Sequence, residues 1–260
     1  MINKISTLVI FEVKRTVRAL FILLIIPVSL LLIGILYQFF LVAVLTPSTD
    51  YSTYILITKL FKYLQQFIMA IYSIIIGSYL FYDRSVLFTV QISEKKYIPY
   101  IAKILAGMLI NTLLSVYFIL LYAIFCLLFL QISPDLSIII SLIGLTLFEI
   151  SCFLSLTFVG FTIFYRLHLE IQVSFLIPVI LLFIIPSFIY SGIAYGFFPD
   201  FLNSLTFQYN LTAISNYFLP SLDSIGLELQ AVIPSIILCI TSIISSFGGG
   251  FLLLKGFEYA

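Results

Sequence analysis

The stretch ILAGMLINTLLSVYFILLYAIFCLLFLQ, residues 104–131, contains no charged residue and decides the class of the fold. An α-helix needs about 20 apolar residues to cross about 30 Å of hydrocarbon, and this stretch is longer than that. The whole chain is similar, because 63% of its 260 residues are hydrophobic, only 9% are charged and the mean hydropathy is +1.26. A soluble protein of this size could not hide so much apolar surface, so we expect lipid to be its main solvent.

The same criterion applied along the chain predicts six transmembrane helices, at 20–45, 63–82, 104–131, 137–164, 173–190 and 231–254. The fifth is the shortest and contains Pro178 and Pro186, which a spanning helix tolerates where its neighbours satisfy the freed carbonyls. We therefore predict an all-α integral membrane protein in which residues 1–260 form one transmembrane domain.

The placement of lysine and arginine predicts the orientation of these helices. With the N-terminus inside, the outer side holds only Lys59 and Lys62, whereas ten cations are cytoplasmic. The ten are Lys4, Lys14, Arg15, Arg18, Arg84, Lys95, Lys96, Lys103, Arg166 and Lys255. By the positive-inside rule, we expect a multi-pass protein of the plasma (inner cell) membrane with both termini in the cytoplasm.

Residues 1–18 carry apolar side chains at helical spacing, namely Ile5, Leu8, Val9, Val13 and Val17. The cations of this segment lie mostly elsewhere around the helix. The pattern predicts an amphipathic helix in the inner interface, with its cations near anionic headgroups. A basic flank that only sets the topology is the alternative.

Residues 83–103, DRSVLFTVQISEKKYIPYIAK, carry six of the 23 charged residues and lie between two long apolar stretches. A short apolar run begins at Val86 and is followed by the charged residues from Glu94 to Lys96. A short exposed element with apolar side chains and flanking charges suits a groove on a partner protein. A solvated connector lying on the membrane surface explains the composition equally well.

The order of residues in this loop resembles that of the type-2 ABC exporter permeases. The matching residues are Asp83-Arg84-Ser85-Val86-Leu87 at the opening, Glu94-Lys95-Lys96-Tyr97 in the turn and Lys103 at the close, with Ser93 where many members have proline. A second match is Ser191-Gly192, Pro199 and Asn210-Leu211-Thr212, which resemble the family's Ser-Gly, Pro and Asn-Pro-Leu-Thr pattern without its last proline.

The resemblance implies a permease subunit of an ATP-driven transporter, expected to be an exporter, that pairs with a second permease copy or a homologous permease. Each half would dock a separate ATP-binding subunit that carries ATP and Mg, and the elbow helix formed by 1–18 would abut it. A coupling helix would lie within Ser85–Pro99. The expected ATPase-coupling residues are Ser85, Val86, Leu87, Phe88, Glu94, Lys95 and Lys96. Membrane lipid is a further expected partner, and nucleic acid is not.

The sequence has no G-x-x-x-x-G-K-[ST] phosphate loop. Its only glycine cluster, Gly248–Gly250, precedes Phe251 within a predicted span, where close helix approach is the favoured interpretation. We therefore expect no cofactor and no enzymatic activity on this chain itself, and ATP energy would come from another polypeptide.

Residues 191–230 contain two apolar stretches that are too short to span, divided by Pro199-Asp200 and Asn203-Ser204. The resemblance favours outer re-entrant half-helices before the last span, with Gly192, Pro199 and Asn210 in an outer gate. An amphipathic surface loop is the alternative. Asn210-Leu211-Thr212 is also an N-glycosylation sequon.

Glu149 lies near the middle of the fourth predicted span, where an ionised carboxylate costs roughly 2.5–3.5 kcal/mol. One hypothesis is a satisfied polar network with nearby hydroxyls, those of Ser141, Thr146, Ser151, Ser155 and Thr157. The other is a residue lining the substrate path or the dimer interface.

Two other functional classes fit part of the pattern. A proton-coupled secondary transporter could use Glu149, although only one broken region, 178–230, is present where such carriers often have two. A structural subunit of a membrane complex is the other. The three cysteines lack metal-ligand spacing, and no metal site is expected.

Overall fold

A computed structural model of the chain describes residues 2–45, 50–81, 97–167, 176, 178–219 and 229–255. The long helices are α1 (Ile2–Leu45), α2 (Asp50–Phe81), α3 (Tyr97–Phe125), α4 (Leu136–Leu167) and α7 (Leu229–Lys255). Two shorter helices are α5 (Ile185–Ala194) and α6 (Phe207–Phe218), and π-helical turns at Cys126–Leu130 and Ile180–Ile184 extend α3 and precede α5. Within the described ranges there is no β-strand.

Five of these helices contain stretches long and apolar enough to cross a membrane: Ile25–Val42, Ser52–Phe81, Ile98–Leu130, Leu136–Ile163 and Val232–Leu252. The prediction of an all-helical, multi-pass membrane protein is confirmed at this level. The predicted span 173–190 lies partly outside the described residues. Its described part belongs to the apolar helical stretch Ile180–Ala194, which is shorter than a full crossing.

Helix α2 lies at the centre of the bundle. Its candidate span is 67% buried, compared with 17% for the spans of α1 and of α7. It packs against α1, α3 and α4, while α7 packs on α4. A lysine and two glutamines of α2 are buried in this interior, so its polar groups must find partners within the protein.

Helix α1 is continuous from Ile2 to Leu45, so the segment predicted as an interfacial helix at 1–18 runs without a break into the first candidate span. Its 44 residues are about 66 Å long, more than twice the thickness of the hydrocarbon core. Of the predicted apolar face, Val13 and Val17 pack against the core of the bundle, while Ile5, Leu8 and Val9 are half-buried. The physical reason is Glu12, whose buried carboxylate holds this part of α1 against α3.

The connection between α3 and α4 is short. Gln131 has a left-handed φ of 54°, which ends the helix. The carbonyl of Asp135 then accepts hydrogen bonds from the N–H groups of Ile138 and Ile139 at 3.0 and 3.2 Å, and α4 begins. This turn places the two apolar helices side by side, as their packing shows.

Helices α5 and α6 are joined by a compact turn and the 3-10 segment Asp200–Leu205. Gly196 has a φ of +74°, a conformation that glycine adopts without steric cost. Thr206 caps α6, since its hydroxyl accepts a hydrogen bond from the Tyr209 N–H at 3.3 Å. Neither helix is long enough to span a membrane.

Candidate functional site

An ion pair joins α2 and α4 inside the bundle. Lys62 Nζ donates to Glu149 Oε2 at 2.7 Å, and the two side chains are 2% and 1% exposed. Both residues lie within candidate membrane spans. An isolated ion is costly in hydrocarbon, so each charge compensates for the burial of the other.

The prediction that Lys62 faces the outer side was wrong. It assumed a span that starts at residue 63, whereas α2 begins at Asp50 and carries Lys62 into the bundle. The apolar residues Tyr54, Ile55, Ile57 and Phe61, all buried, could have signalled the longer helix. Lys62 therefore does not count when the cations on the two sides of the membrane are compared.

The hydroxyl groups on α4 form hydrogen bonds within their own helix. Those of Thr146, Ser151 and Thr157 donate to carbonyls four residues earlier, at 2.6, 2.9 and 2.9 Å. Such back-bonding satisfies a hydroxyl without a second helix. The partner of Glu149 is thus the lysine, and its other oxygen, Oε1, has no hydrogen-bond partner in the described part of the chain.

Neutral polar contacts join α2 to α3 on either side of the ion pair. The Thr58 and Tyr122 hydroxyls are 2.5 Å apart, and Gln65 Nε2 donates to Ser115 Oγ at 3.3 Å. Phe61 stacks on the Tyr122 ring with 4.4 Å between the ring centres. Polar side chains of α2 therefore bind partners on α3 and α4 inside an otherwise apolar bundle.

A second charged cluster ties the N-terminal part of α1 to α2 and α3. Glu12, which is 2% exposed, lies 2.8 Å from an Arg15 guanidinium nitrogen and 2.9 Å from Lys103 Nζ. The Arg15 guanidinium carbon also lies 5.1 Å from the centre of the Tyr79 ring in α2, within the range of a cation–π interaction. We call Glu12, Arg15, Lys103 and Tyr79 the α1 clamp.

The α1 clamp corrects the interpretation of Lys103. The sequence suggested the closing lysine of an exposed loop, but Lys103 lies inside α3 and its side chain is 1% exposed. Sequence reasoning also missed Glu12, although a single acid on an otherwise basic segment was a usable signal. The coupling residues predicted at 85–88 and 94–96 lie outside the described residues.

The three predicted outer-gate residues lie in one small unit around α5 and α6. The Gly192 carbonyl accepts from the Phe197 and Phe198 N–H groups at 2.7 and 3.2 Å, and the Phe198 ring covers the glycine where a Cβ would stand. Pro199 is exposed between the helices. The structure thus brings Gly192 and Pro199 together around one turn.

Asn210 is buried in the same unit. Its amide nitrogen donates to the carbonyls of Ser204 and Thr206 at 2.6 and 2.8 Å, and the residue is 2% exposed. That nitrogen is the atom to which a glycan would be attached. In the folded chain the sequon therefore has a structural role, and we expect no glycan on Asn210.

The glycines at 248–250 and the three cysteines contribute to packing. A Cβ on Gly250 would collide with the Phe158 ring in α4, whereas Gly248 and Gly249 face open space, so one of the three glycines permits close helix approach. Cys126, Cys152 and Cys239 are buried and free. Among the described residues, no group of three or more His, Cys, Asp or Glu could hold a metal ion.

The chain matches no protein-family model, no curated protein and no solved structure.

Proposed function

We propose that this chain is the permease subunit of an ATP-driven type-2 ABC exporter, powered by a separate ATP-binding subunit. The observation that carries the proposal is the α1 clamp. It joins α1 to the last turn of α2 and the first turns of α3, which are the two helices connected by residues 82–96. A force applied to this connection would reach three helices at once.

The proposed mechanism uses this linkage. Binding of ATP draws two partner subunits together, they push the coupling residues between Ser85 and Lys96, and α1, α2 and α3 move as a unit. In this proposal the connection and both termini are cytoplasmic, the predicted span at 173–190 is the sixth crossing, and the segment that begins at Ser191 is re-entrant from the outer side. A second permease copy or a homologue completes the path.

Co-purification tests the proposal. The tagged chain is isolated from native membranes, and bound proteins are identified by mass spectrometry. We expect a soluble protein with a phosphate-binding loop, lost when Val86, Leu87 and Phe88 are changed to Asp. The matched control is Phe197→Asp in the outer unit, where the ring is 80% exposed, and it should retain the partner. Recovery of the chain alone, from membranes that still transport, would contradict the proposal.

A proton-coupled carrier is the second candidate, and the Lys62–Glu149 pair is the observation that favours it. Glu149 Oε1 lacks a hydrogen-bond partner among the described residues, which leaves an acceptor for a proton in the membrane interior. Under this alternative, Glu149→Gln abolishes uptake or export that depends on a proton gradient. Under the ABC proposal, transport persists when the gradient is collapsed.

A further inference from the structure

A cavity of about 190 Å³ lies between α2, α4, the turn before α5, and α6. Its lining includes Tyr63, Gln66, Phe67, Phe153, Phe183 and Thr212. Tyr63 and Phe67 are 46% and 54% exposed, so the cavity opens on the side of the bundle between α2 and α5. In a spanning protein, that side is where lipid or a neighbouring permease lies.

The Gln66 side chain points to a ligand. The residue is 7% exposed and lines the cavity, and in the described part of the chain its amide has no hydrogen-bond partner. The adjacent Gln65 does not line the cavity; its amide nitrogen donates to Ser115 on α3, while its Oε1 has no hydrogen-bond partner in the described part of the chain. No amide atom of Gln66 is sealed in the core, because the side chain reaches the cavity, and a group in the cavity that can both donate and accept would satisfy it.

The walls of the cavity set the rest of the chemistry. The rings of Tyr63, Phe67, Phe153 and Phe183 surround the opening, and Phe67 and Phe183 meet edge to face at 5.5 Å between centres. Among the described residues that line the cavity, none is charged. The Lys62–Glu149 pair lies one helical turn from Gln66 and Phe153, but its two charges already neutralise each other. A charged group in the cavity would therefore be unpaired.

We propose that this cavity binds the uncharged polar group of an amphiphile, an amide or hydroxyl, that enters sideways from the bilayer. The amide of Gln66 and the hydroxyl of Thr212 bind the polar group, and the aromatic rings contact the adjacent carbons. Since one water occupies about 30 Å³ of liquid, the cavity holds a small polar head and leaves the acyl chain in lipid. This binding site does not depend on the proposal that a separate ATPase powers transport.

Fluorescence from a single tryptophan tests the site, because the chain has no Trp. Phe67→Trp, at the rim, is placed in phosphatidylcholine nanodiscs and titrated with a short-chain ceramide whose acyl chain is brominated to quench the indole. We expect saturable quenching. A brominated alkane without a polar group and a brominated phosphatidic acid should bind at least about tenfold more weakly, the effect of one lost hydrogen bond to a buried group.

Substitutions in the same reporter assign the effect to the amide. Gln66→Leu should weaken ceramide binding about tenfold. Gln65→Leu is the matched control. Its ceramide affinity should stay within about threefold of that of the reporter, because Gln65 does not line the cavity. If Gln66→Leu does not fold, Thr212→Val provides the test from α6. Unchanged affinity in the folded variant, or equal binding of the alkane, overturns the proposal and leaves the cavity to ordered water.

Discussion

Replacing Glu149 with glutamine is expected to destabilise the folded chain by about 3–5 kcal/mol, because it leaves Lys62 buried without a counter-ion. The side chains are 2% and 1% exposed, so water cannot take the place of the lost partner. The glutamine amide has nearly the same shape as the carboxylate. The substitution therefore removes the charge and leaves the packing.

The magnitude follows from two opposing contributions. At 2.7 Å and an effective dielectric of about 20, two unit charges attract by about 6 kcal/mol. Taking each ion out of water costs several kcal/mol, so the intact pair is close to neutral in net free energy. Removing one partner abolishes the attraction, but the desolvation cost of the other remains. Removing both should bring the stability back to within about 1–2 kcal/mol of the parent.

The assay is reversible unfolding by SDS in mixed micelles, followed by circular dichroism, for Glu149→Gln, Lys62→Met and the double variant Lys62→Met/Glu149→Leu. Thr146→Val is the control, because its hydroxyl bonds only within α4, and we expect a loss of about 1 kcal/mol. A coupling energy near 0.6 kcal/mol, roughly the average for polar contacts between membrane helices, would refute the reasoning.

Three further substitutions test other contacts. Gly250→Ala should lose about 1–3 kcal/mol of unfolding free energy, because its Cβ meets a ring in α4, whereas Gly249→Ala, which faces open space, should be neutral or stabilising. Asn210→Ala should lose about 1–3 kcal/mol of unfolding free energy, because the amide is buried and hydrogen-bonded. For the same reason, glycosidase treatment of the parent should not change its electrophoretic mobility. Glu12→Gln should expose a cysteine placed at Thr16, which is 1% exposed on α1, to a membrane-impermeant thiol reagent faster than in the parent carrying the same cysteine. Equal labelling rates would show that the α1 clamp does not hold α1 in place.

Much of the fold could be predicted from composition, because lipid imposes helices of a minimum length on any spanning segment. The long apolar stretches of α3, α4 and α7 lie close to where the sequence places them. Errors arose where a helix continues past its apolar stretch. The start of α2 contains Lys59 and Lys62, and hydropathy alone treats such residues as the end of a span.

The candidate site was half predictable. Glu149 could be singled out, since a carboxylate in the middle of an apolar span needs an explanation. Its partner could not, because Lys62 is 87 residues away and the pairing of α2 with α4 is tertiary information. The same holds for Glu12 and Lys103. Sequence periodicity predicts which face of a helix is apolar, but not which helix that face contacts.

The distance between Lys62 and Glu149 along the chain has a consequence for how the protein is made. At about 5–20 residues per second, a ribosome adds the 87 residues that follow Lys62, up to and including Glu149, in about 4–17 seconds. During that interval the span of α2, with a hydropathy of 1.5 the least apolar of the five, must enter the bilayer with an unpaired lysine. We therefore expect α2 to settle fully only when α4 arrives, so that a nascent chain stopped before Glu149 leaves α2 partly outside the membrane. On this reasoning, a late helix completes the insertion of an early one.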